Sequence, residues 1–419
     1  MKLLKCMWIL WTFALCSAYA PKDICNAKPK DMPLKPMCVY RNPDFSVEPT
    51  RAPEKIPVAN PRVLELSKAN SGFALTLFKQ LSERKSSTEN IFLSPISIST
   101  AFAMTKLGAC NRTLEQLMKH ETMELISANR LFGDKSMIFN EAYQNISEKV
   151  YGAKMMPLNF KENPDDSRKV INEWIANKTE DRIKDTLPEG SIDSDTILVL
   201  VNAIYFKGQW KHKFNKEDVM NLDFHVSETL SCPVPMMYQE RKFQYASIPD
   251  DKVKILELPY NGRDITMVLI LPNEGTPLSE VVANMNLKTL VGWLNIMNET
   301  TVTVQIPRFR IEDSMSLKEV LAKMGLEDLF SATHASLPGM VAEDGPNLYI
   351  SDAYHKAFLE VNEEGSEAAA ATAVVSLGRS LNVFRESFIA NRPFILMIRD
   401  SSINALLFTG RVANPCGSS

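Results

Sequence analysis

The sequence predicts one large α+β domain. Long β runs and amphipathic helical runs mix without regular βαβ alternation, which argues against a doubly wound sheet. No low-complexity linker breaks the chain after residue 63. The 419 residues are 45% hydrophobic, with 47 basic and 50 acidic side chains, a globular composition with ample material for a core. A formal charge of −3 offers no global reason to bind nucleic acid.

In chain order, the first twenty residues read as a secretory leader. Lys2 and Lys5 precede an apolar stretch from Met7 to Leu15, and Ala18-Tyr-Ala20 offers a cleavage site. Cleavage after Ala20 would leave Pro21 at the new terminus, so a cut after Ala18 is the alternative. The apolar stretch is too short to span a bilayer comfortably, and no other stretch reaches that length. A secreted, extracellular chain without a membrane span is expected, with 45 basic against 50 acidic residues once Lys2 and Lys5 are removed. Residues 21–62 carry nine prolines and little periodicity, an irregular N-terminal arm ahead of a domain filling 63–419.

Asn70 to Lys85 places Phe73, Leu77, Phe78 and Leu81 on one helical face. Ile98 to Gly108 carries one charge, Lys106, and reads as a buried helix. Asn163-Pro164 looks like an N-cap with proline in the first turn, opening a helix that buries Val170, Ile171, Trp174 and Ile175. Ser314 to Leu329 gives another, with Leu317, Val320, Leu321, Met324 and Leu329 inward. Residues 196–206 form a nearly continuous apolar β run, expected of a strand covered on both faces. Further strands are expected at 254–259, 264–272, 301–309, 393–399 and 405–412.

Cys6 and Cys16 leave with the leader, so Cys25, Cys38, Cys110, Cys232 and Cys416 remain. An odd number in an oxidising compartment leaves one thiol free, capped or paired with another chain. There is no C-x-x-C and no Cys/His cluster, so no metal is expected. Glycosylation sequons begin at Asn111, Asn145, Asn177 and Asn298.

No G-x-S-x-G, H-E-x-x-H, P-loop or Rossmann fingerprint is present. The histidines at 120, 212, 225, 334 and 355 are scattered, and a structural role suits each better than a catalytic one. An enzyme is not expected. The informative stretch is 363–382. Four alanines after Ser366-Glu367 suit a capped helix or a linker. Counted by twos, Ser366, Ala368, Ala370, Thr372, Val374 and Ser376 would instead share one uniformly small strand face, able to slide between existing strands. Beyond it, Gly378-Arg-Ser380 resembles a protease substrate, an arginine for an acidic pocket beside a small residue.

Leu359-Glu-Val-Asn-Glu-Glu-Gly-Ser-Glu-Ala-Ala-Ala and Asn391-Arg-Pro-Phe394 resemble the signature of the serpin family. Asn90-Ile-Phe-Leu-Ser-Pro-Ile-Ser-Ile-Ser, Leu200-Val-Asn-Ala-Ile-Tyr-Phe-Lys-Gly-Gln-Trp210 and Ile306-Pro-Arg-Phe309 are similar to other landmarks of that family. Asp23-Ile-Cys, Ala27-Lys-Pro-Lys, Ala373-Val-Val and Gly410-Arg-Val-Ala-Asn-Pro-Cys416 resemble its branch directed at coagulation proteases. The resemblance implies three β-sheets, surrounding helices and an exposed reactive-centre loop at about 363–385. The reactive bond would be Arg379–Ser380. The hinge would be Glu363, Glu364, Gly365, Ser366, Glu367, Ala368, Ala369, Ala370 and Ala371. Ser94, Asn202 and His355 would form a shutter under the insertion slot, and Tyr238, Glu240 and Arg385 an exosite. Thrombin and factor Xa, both trypsin-like serine proteases, would be the partners of a monomeric plasma inhibitor. Disulfides Cys38–Cys110 and Cys232–Cys416 are implied, leaving Cys25 free.

The chain departs from that branch after Met118. Only Lys119 to Leu125 separate it from Ile126 and Ser127-Ala-Asn-Arg-Leu-Phe-Gly133, where the branch has a long basic helix and the cysteine that partners Cys25. Heparin or heparan sulfate, the activator the resemblance implies, would be left with Lys28, Lys30 and Arg62, and its effect is expected to be weakened.

Overall fold

The structure, a computed structural model, describes residues 61–110, 112–113, 128–261, 264–341, 347–366 and 386–416. The apolar run at 196–206 forms β4 (Leu198–Tyr205), and both its faces are covered. Leu198 and Leu200 enter the largest core cluster, whereas Val199, Val201 and Ala203 enter a smaller one on the opposite side. That split follows the two-residue period of a strand. β2 (Ala128–Asp134) pairs antiparallel with β4, and β12 (Asp352–Val361) pairs parallel with it. β3 (Met156–Leu158) and β11 (Phe309–Ser316) complete a five-stranded sheet in the order β11-β12-β4-β2-β3.

The other large body of strands is organised by β7 (Ser231–Ile248). Its first part pairs with β6 (Met220–His225) and β10 (Asn298–Pro307), while Gln244–Ile248 pairs with β8 (Val253–Pro259). β7 thus joins two groups of strands in one nine-stranded sheet. β8 continues through β9 (Ile265–Pro272), β15 (Phe394–Asp400) and β16 (Ala405–Val412) to β1 (Ile91–Leu93). β10 continues to β14 (Glu386–Ile389). With the five-stranded sheet and a two-stranded one that pairs Gly365–Ser366 with Gly208–Gln209, this makes three sheets in one α+β domain.

α1 (Pro61–Arg84) buries Phe73, Leu77, Phe78 and Leu81 as predicted, but starts nine residues earlier, with proline at its first position. α2 (Pro95–Lys106) is buried along most of its length. α3 (Glu141–Tyr151), which the sequence did not announce, is capped by the Asn140 side chain and ended by Gly152 at φ 65°. α4 (Pro164–Lys178) opens at the expected proline, yet the Asn163 side chain makes no cap bond. Val170 is 37% exposed, so Ile171 and Ile175 carry the burial. α5 (Leu278–Asn284) and α6 (Leu287–Ile296) follow. The helix predicted from Ser314 begins only at Lys318. Phe309, Ile311 and Asp313 alternate inward along β11, and that two-residue period prevails as far as Ser316. α7 (Lys318–Leu321) runs into a wider helical turn, Ala322–Leu326, that breaks at Gly325, whose φ of 97° suits only glycine. No helix of the described residues is long and apolar enough to cross a membrane.

One polar cluster ties the central sheet to α2. The Ser94 N–H donates to His355 Nε2 at 3.2 Å, and its hydroxyl donates to the Leu407 carbonyl at 2.8 Å. Because Nε2 accepts, the proton of the neutral ring sits on Nδ1, which donates to Asn202 Oδ1. The Asn202 amide donates to Ser97 Oγ and to Asn129 Oδ1. Residues of β12, β4 and β2 are thereby joined to α2 beneath the β4–β12 seam.

His355 is fully buried, and burial pushes its pKa down to about 3 from 6.5. The unfolded chain takes up a proton as pH falls through 6.5 and the native chain does not, so this site loses stability with acid between 6.5 and about 3. The loss is about 1.4 kcal/mol per pH unit. The melting temperature is expected to fall between pH 7 and pH 5, and to fall less in His355→Gln. Equal falls in parent and variant would show that His355 is not buried in its neutral form.

Candidate functional site: a loop hinge at the mouth of the central sheet

β12 ends at Val361, and the chain turns through Asn362–Glu364 into β13 (Gly365–Ser366). β13 pairs antiparallel with β5 (Gly208–Gln209), which follows β4 after two residues. The turn is closed by Asn362 N–H to Gly365 O at 2.9 Å and Gly365 N–H to Asn362 O at 3.2 Å. Trp210 donates its backbone N–H to Glu364 O and its indole Nε1–H to Asn362 O, each at 2.9 Å. Phe214 N–H reaches Glu363 O at 3.0 Å. Gly365 sits at φ 140°, and a Cβ there would lie 2.2 Å from the Gly208 carbonyl oxygen. Only glycine fits, on both grounds. Ser366 is fully buried, its hydroxyl 2.8 Å from the Tyr260 hydroxyl, and Tyr260 stacks on Trp210 at 4.4 Å between centroids.

Both hinge carboxylates are buried, and each has cations. Glu363 Oε1 takes two N–H groups of Arg308, one at 3.1 Å. Glu364 lies 2.6 Å from Lys213 Nζ and 3.5 Å from Lys216 Nζ. The hydrogen bond from Lys213 holds the Glu364 carboxyl below the usual carboxylate range. Pairing of this kind is what makes two buried acids in one turn tolerable.

The chain resumes at β14, parallel to β10 over Val302↔Glu386 to Gln305↔Ile389. Between these two ends of the loop, β4 and β12 are directly paired from Val199↔Asp352 to Tyr205↔Phe358. Glu367, Ala368, Ala369, Ala370, Ala371, Arg379 and Ser380 lie outside the described residues.

The structure brings Ser94, Asn202 and His355 together as neighbours, and adds Ser97 and Asn129, which sequence reasoning missed. It also adds Trp210, Lys213, Arg308 and Tyr260 around the hinge. Trp210 and Arg308 stood inside quoted family landmarks, but nothing local linked them to Glu363 and Glu364. Tyr238 and Glu240 share a face of β7, the tyrosine hydroxyl 3.5 Å from the carboxylate. Arg385 lies outside the described residues, as do Lys28, Lys30 and segment 119–125. Arg62 is in the first turn of α1, with its side chain outside the described set. Cys232 and Cys416 form a disulfide. Cys110 is disulfide-bonded too, whereas Cys25 and Cys38 lie outside the described residues. Asn145, Asn177 and Asn298 are exposed on α3, α4 and the start of β10; Asn111 lies outside.

The family described as Serpin (serine protease inhibitor) matches residues 68–120 and 117–415. The two pieces meet on the stretch where a helix reads as missing. Antithrombin-III of Mus musculus is 52% identical over 435 residues, covering 96% of this chain and 93% of the relative. Antithrombin-III of Homo sapiens is 52% identical over 438, covering 97% and 94%. The human alignment uses about 406 of the 419 residues here, so about 32 of its 438 positions face no residue of this chain. Among solved structures, uncleaved ovalbumin is 34% identical with a TM-score of 0.74, covering 84% of this chain and 100% of its own. Human thyroxine-binding globulin is 26% identical with a TM-score of 0.77, covering 84% and 99%. This chain therefore belongs to the serpin family, the serine protease inhibitors, and is similar to antithrombin-III along almost its whole length.

Proposed function

We propose that the protein is a secreted inhibitor of trypsin-like coagulation proteases, of the thrombin and factor Xa kind. It traps them by inserting its reactive loop into the central sheet. The observation that carries this reading is the direction of β13. It runs antiparallel to the extension of β4, and β4 and β12 are parallel to each other. A strand continuing from β13 can therefore pair antiparallel with both. Extending the register Gly365↔Gln209 and Ser366↔Gly208 sets Ala370 opposite Ile204, Thr372 opposite Asn202, Val374 opposite Leu200 and Ser376 opposite Leu198. Directly opposed residues share a face, so the small residues would meet the main core and the Asn202–His355 cluster.

Insertion would exchange one parallel ladder of seven residue pairs for two antiparallel ones. The net gain is roughly one ladder, about 1 kcal/mol per added hydrogen bond. In the reaction, the protease serine oxygen attacks the Arg379 carbonyl carbon, forming an ester. The Arg379–Ser380 peptide bond breaks, and the Ser380 amine leaves with the proton delivered by the protease histidine. Insertion then drags the esterified protease along the sheet and distorts its oxyanion hole before water can complete hydrolysis.

The arginine of the reactive bond would form a bidentate ion pair in the protease specificity pocket. Incubation with thrombin is expected to yield a denaturation-stable covalent complex. Arg379→Ala should slow its formation by two orders of magnitude or more, as loss of a buried arginine contact of several kcal/mol implies. Equal trapping by the variant would place the reactive bond elsewhere, and clean cleavage of the parent without complex would favour a non-inhibitory serpin.

Heparin or heparan sulfate would act on the few cations left, Lys28, Lys30 and Arg62. Fewer charged contacts release fewer counterions, by analogy with nucleic-acid phosphates. Weak heparin affinity with a shallow salt dependence is expected when titrated against antithrombin-III. A steep slope equal to that of antithrombin-III would sink the weakened-activation reading.

A further inference from the structure

α6 turns one side firmly inward. Leu290 and Trp293 are buried, and the Trp293 indole N–H donates to Asp251 Oδ2 at 2.6 Å. That leaves Lys288, Val291, Gly292, Asn295 and Ile296 facing out, all exposed. The outer face of a surface helix ordinarily carries charge. Here no charged residue occurs from Thr289 to Asn298. Val291 is 46% exposed and Ile296 51%. Gly292 lies between them, where a Cβ would meet nothing within 4 Å. Packing inside the protein does not call for glycine there, although glycine within a helix costs up to about 1 kcal/mol relative to alanine. The result is a low, uncharged strip open to close approach.

A glycosylation acceptor stands at the end of that strip. Asn298 begins the sequon Asn298-Glu-Thr300 and is exposed. Its Nδ2 donates to the Ile296 carbonyl at 2.9 Å, so the side chain lies against the C-terminus of α6. Asn298 to Thr301 pair with β7 on one side, and the described pairing on their other side begins only at Val302.

We propose that Asn298 carries an N-linked oligosaccharide whose first sugars cover the uncharged outer face of α6. In the transfer, Asn298 Nδ2 bonds to C1 of the first sugar of an oligosaccharide linked to a lipid diphosphate. The C1–O bond to the diphosphate breaks, the lipid diphosphate leaves, and one amide proton passes to a base of the transferase. The glycosylated amide keeps one N–H, enough to retain the bond to the Ile296 carbonyl and start the sugar chain beside the last turn of α6. Val291 lies five residues back, about 7.5 Å of helical rise. Sugar rings present C–H faces as well as hydroxyls, which suits a strip that is apolar but not deep. The inference draws on the secretion part of the reading above and not on protease trapping.

The test expresses the full chain, leader included, in a eukaryotic cell and collects it from the medium. Occupancy of Asn298 is read by peptide mass after enzymatic glycan release in heavy-oxygen water, which turns each released asparagine into a labelled aspartate. Hydroxyl-radical labelling then compares Val291 and Ile296 in the glycoprotein and in Asn298→Gln and Thr300→Val, each of which removes the sequon. Asn298 should be occupied, and Val291 and Ile296 should label several-fold more strongly in both variants. Leu230, 48% exposed and just before the start of β7, should label equally in all. Where a variant is not secreted, the native glycoprotein trimmed by the same enzyme supplies the uncovered state. Equal labelling with and without the glycan would overturn the covering, and an unmodified Asn298 beside an occupied Asn177 would overturn the site. A chain kept inside the cell with no sequon occupied would overturn the secretion reading and the proposal with it.

Discussion

The parallel contact between β4 and β12 is the constraint on which the rest of the molecule depends. Two parallel strands side by side satisfy one ladder between them. An antiparallel strand placed between them would satisfy two, with the more favourable pairing geometry. On the proposed reading, connectivity would hold the fold short of its most fully paired arrangement, since the segment that would fill that place is joined to the chain at both ends.

Each surrounding device acts on that seam. Beneath it, Ser94, Ser97, Asn129, Asn202 and His355 pin three strands to α2, so the strands cannot part without disturbing a buried hydrogen-bond cluster. At its mouth, Gly365 permits an approach that any side chain would block, and the ion pairs of Glu363 and Glu364 fix where a strand would begin. At the far end of the loop, β14 pairs with β10. Cleavage between these two ends would free one without loosening the other. This is how a protease could itself supply the trigger for its own trapping.

Legibility in the sequence followed the range of the interactions involved. β4 was plain because burial on both faces produces an unbroken apolar run, and the helix at 70–85 because its stripe is long. The helix read from Ser314 failed where a strand's alternation overlapped a helical stripe; which period prevailed depended on β12 pairing with β11. Val170 was misplaced because one side of α4 faces solvent, a fact of packing rather than pattern. The small face from Ser366 to Ser376 could be derived from residue size alone, but its local conformation stayed open among helix, linker and strand. The partners of Glu363 and Glu364 were illegible, since Arg308 lies 55 residues away and the choice among many cations is made only by folding. The place of His355 came through resemblance, as a lone histidine carries no local mark of its neighbours.

The central claim is that this chain is metastable because a strand belongs between β4 and β12. Its most direct test is the melting temperature of the protein before and after a single cut in the loop near Arg379, both halves retained. The account predicts a large rise on cutting, since the inserted segment adds a ladder along β4 and buries the Val374 face. An unchanged or lower melting temperature in the cut protein would contradict it.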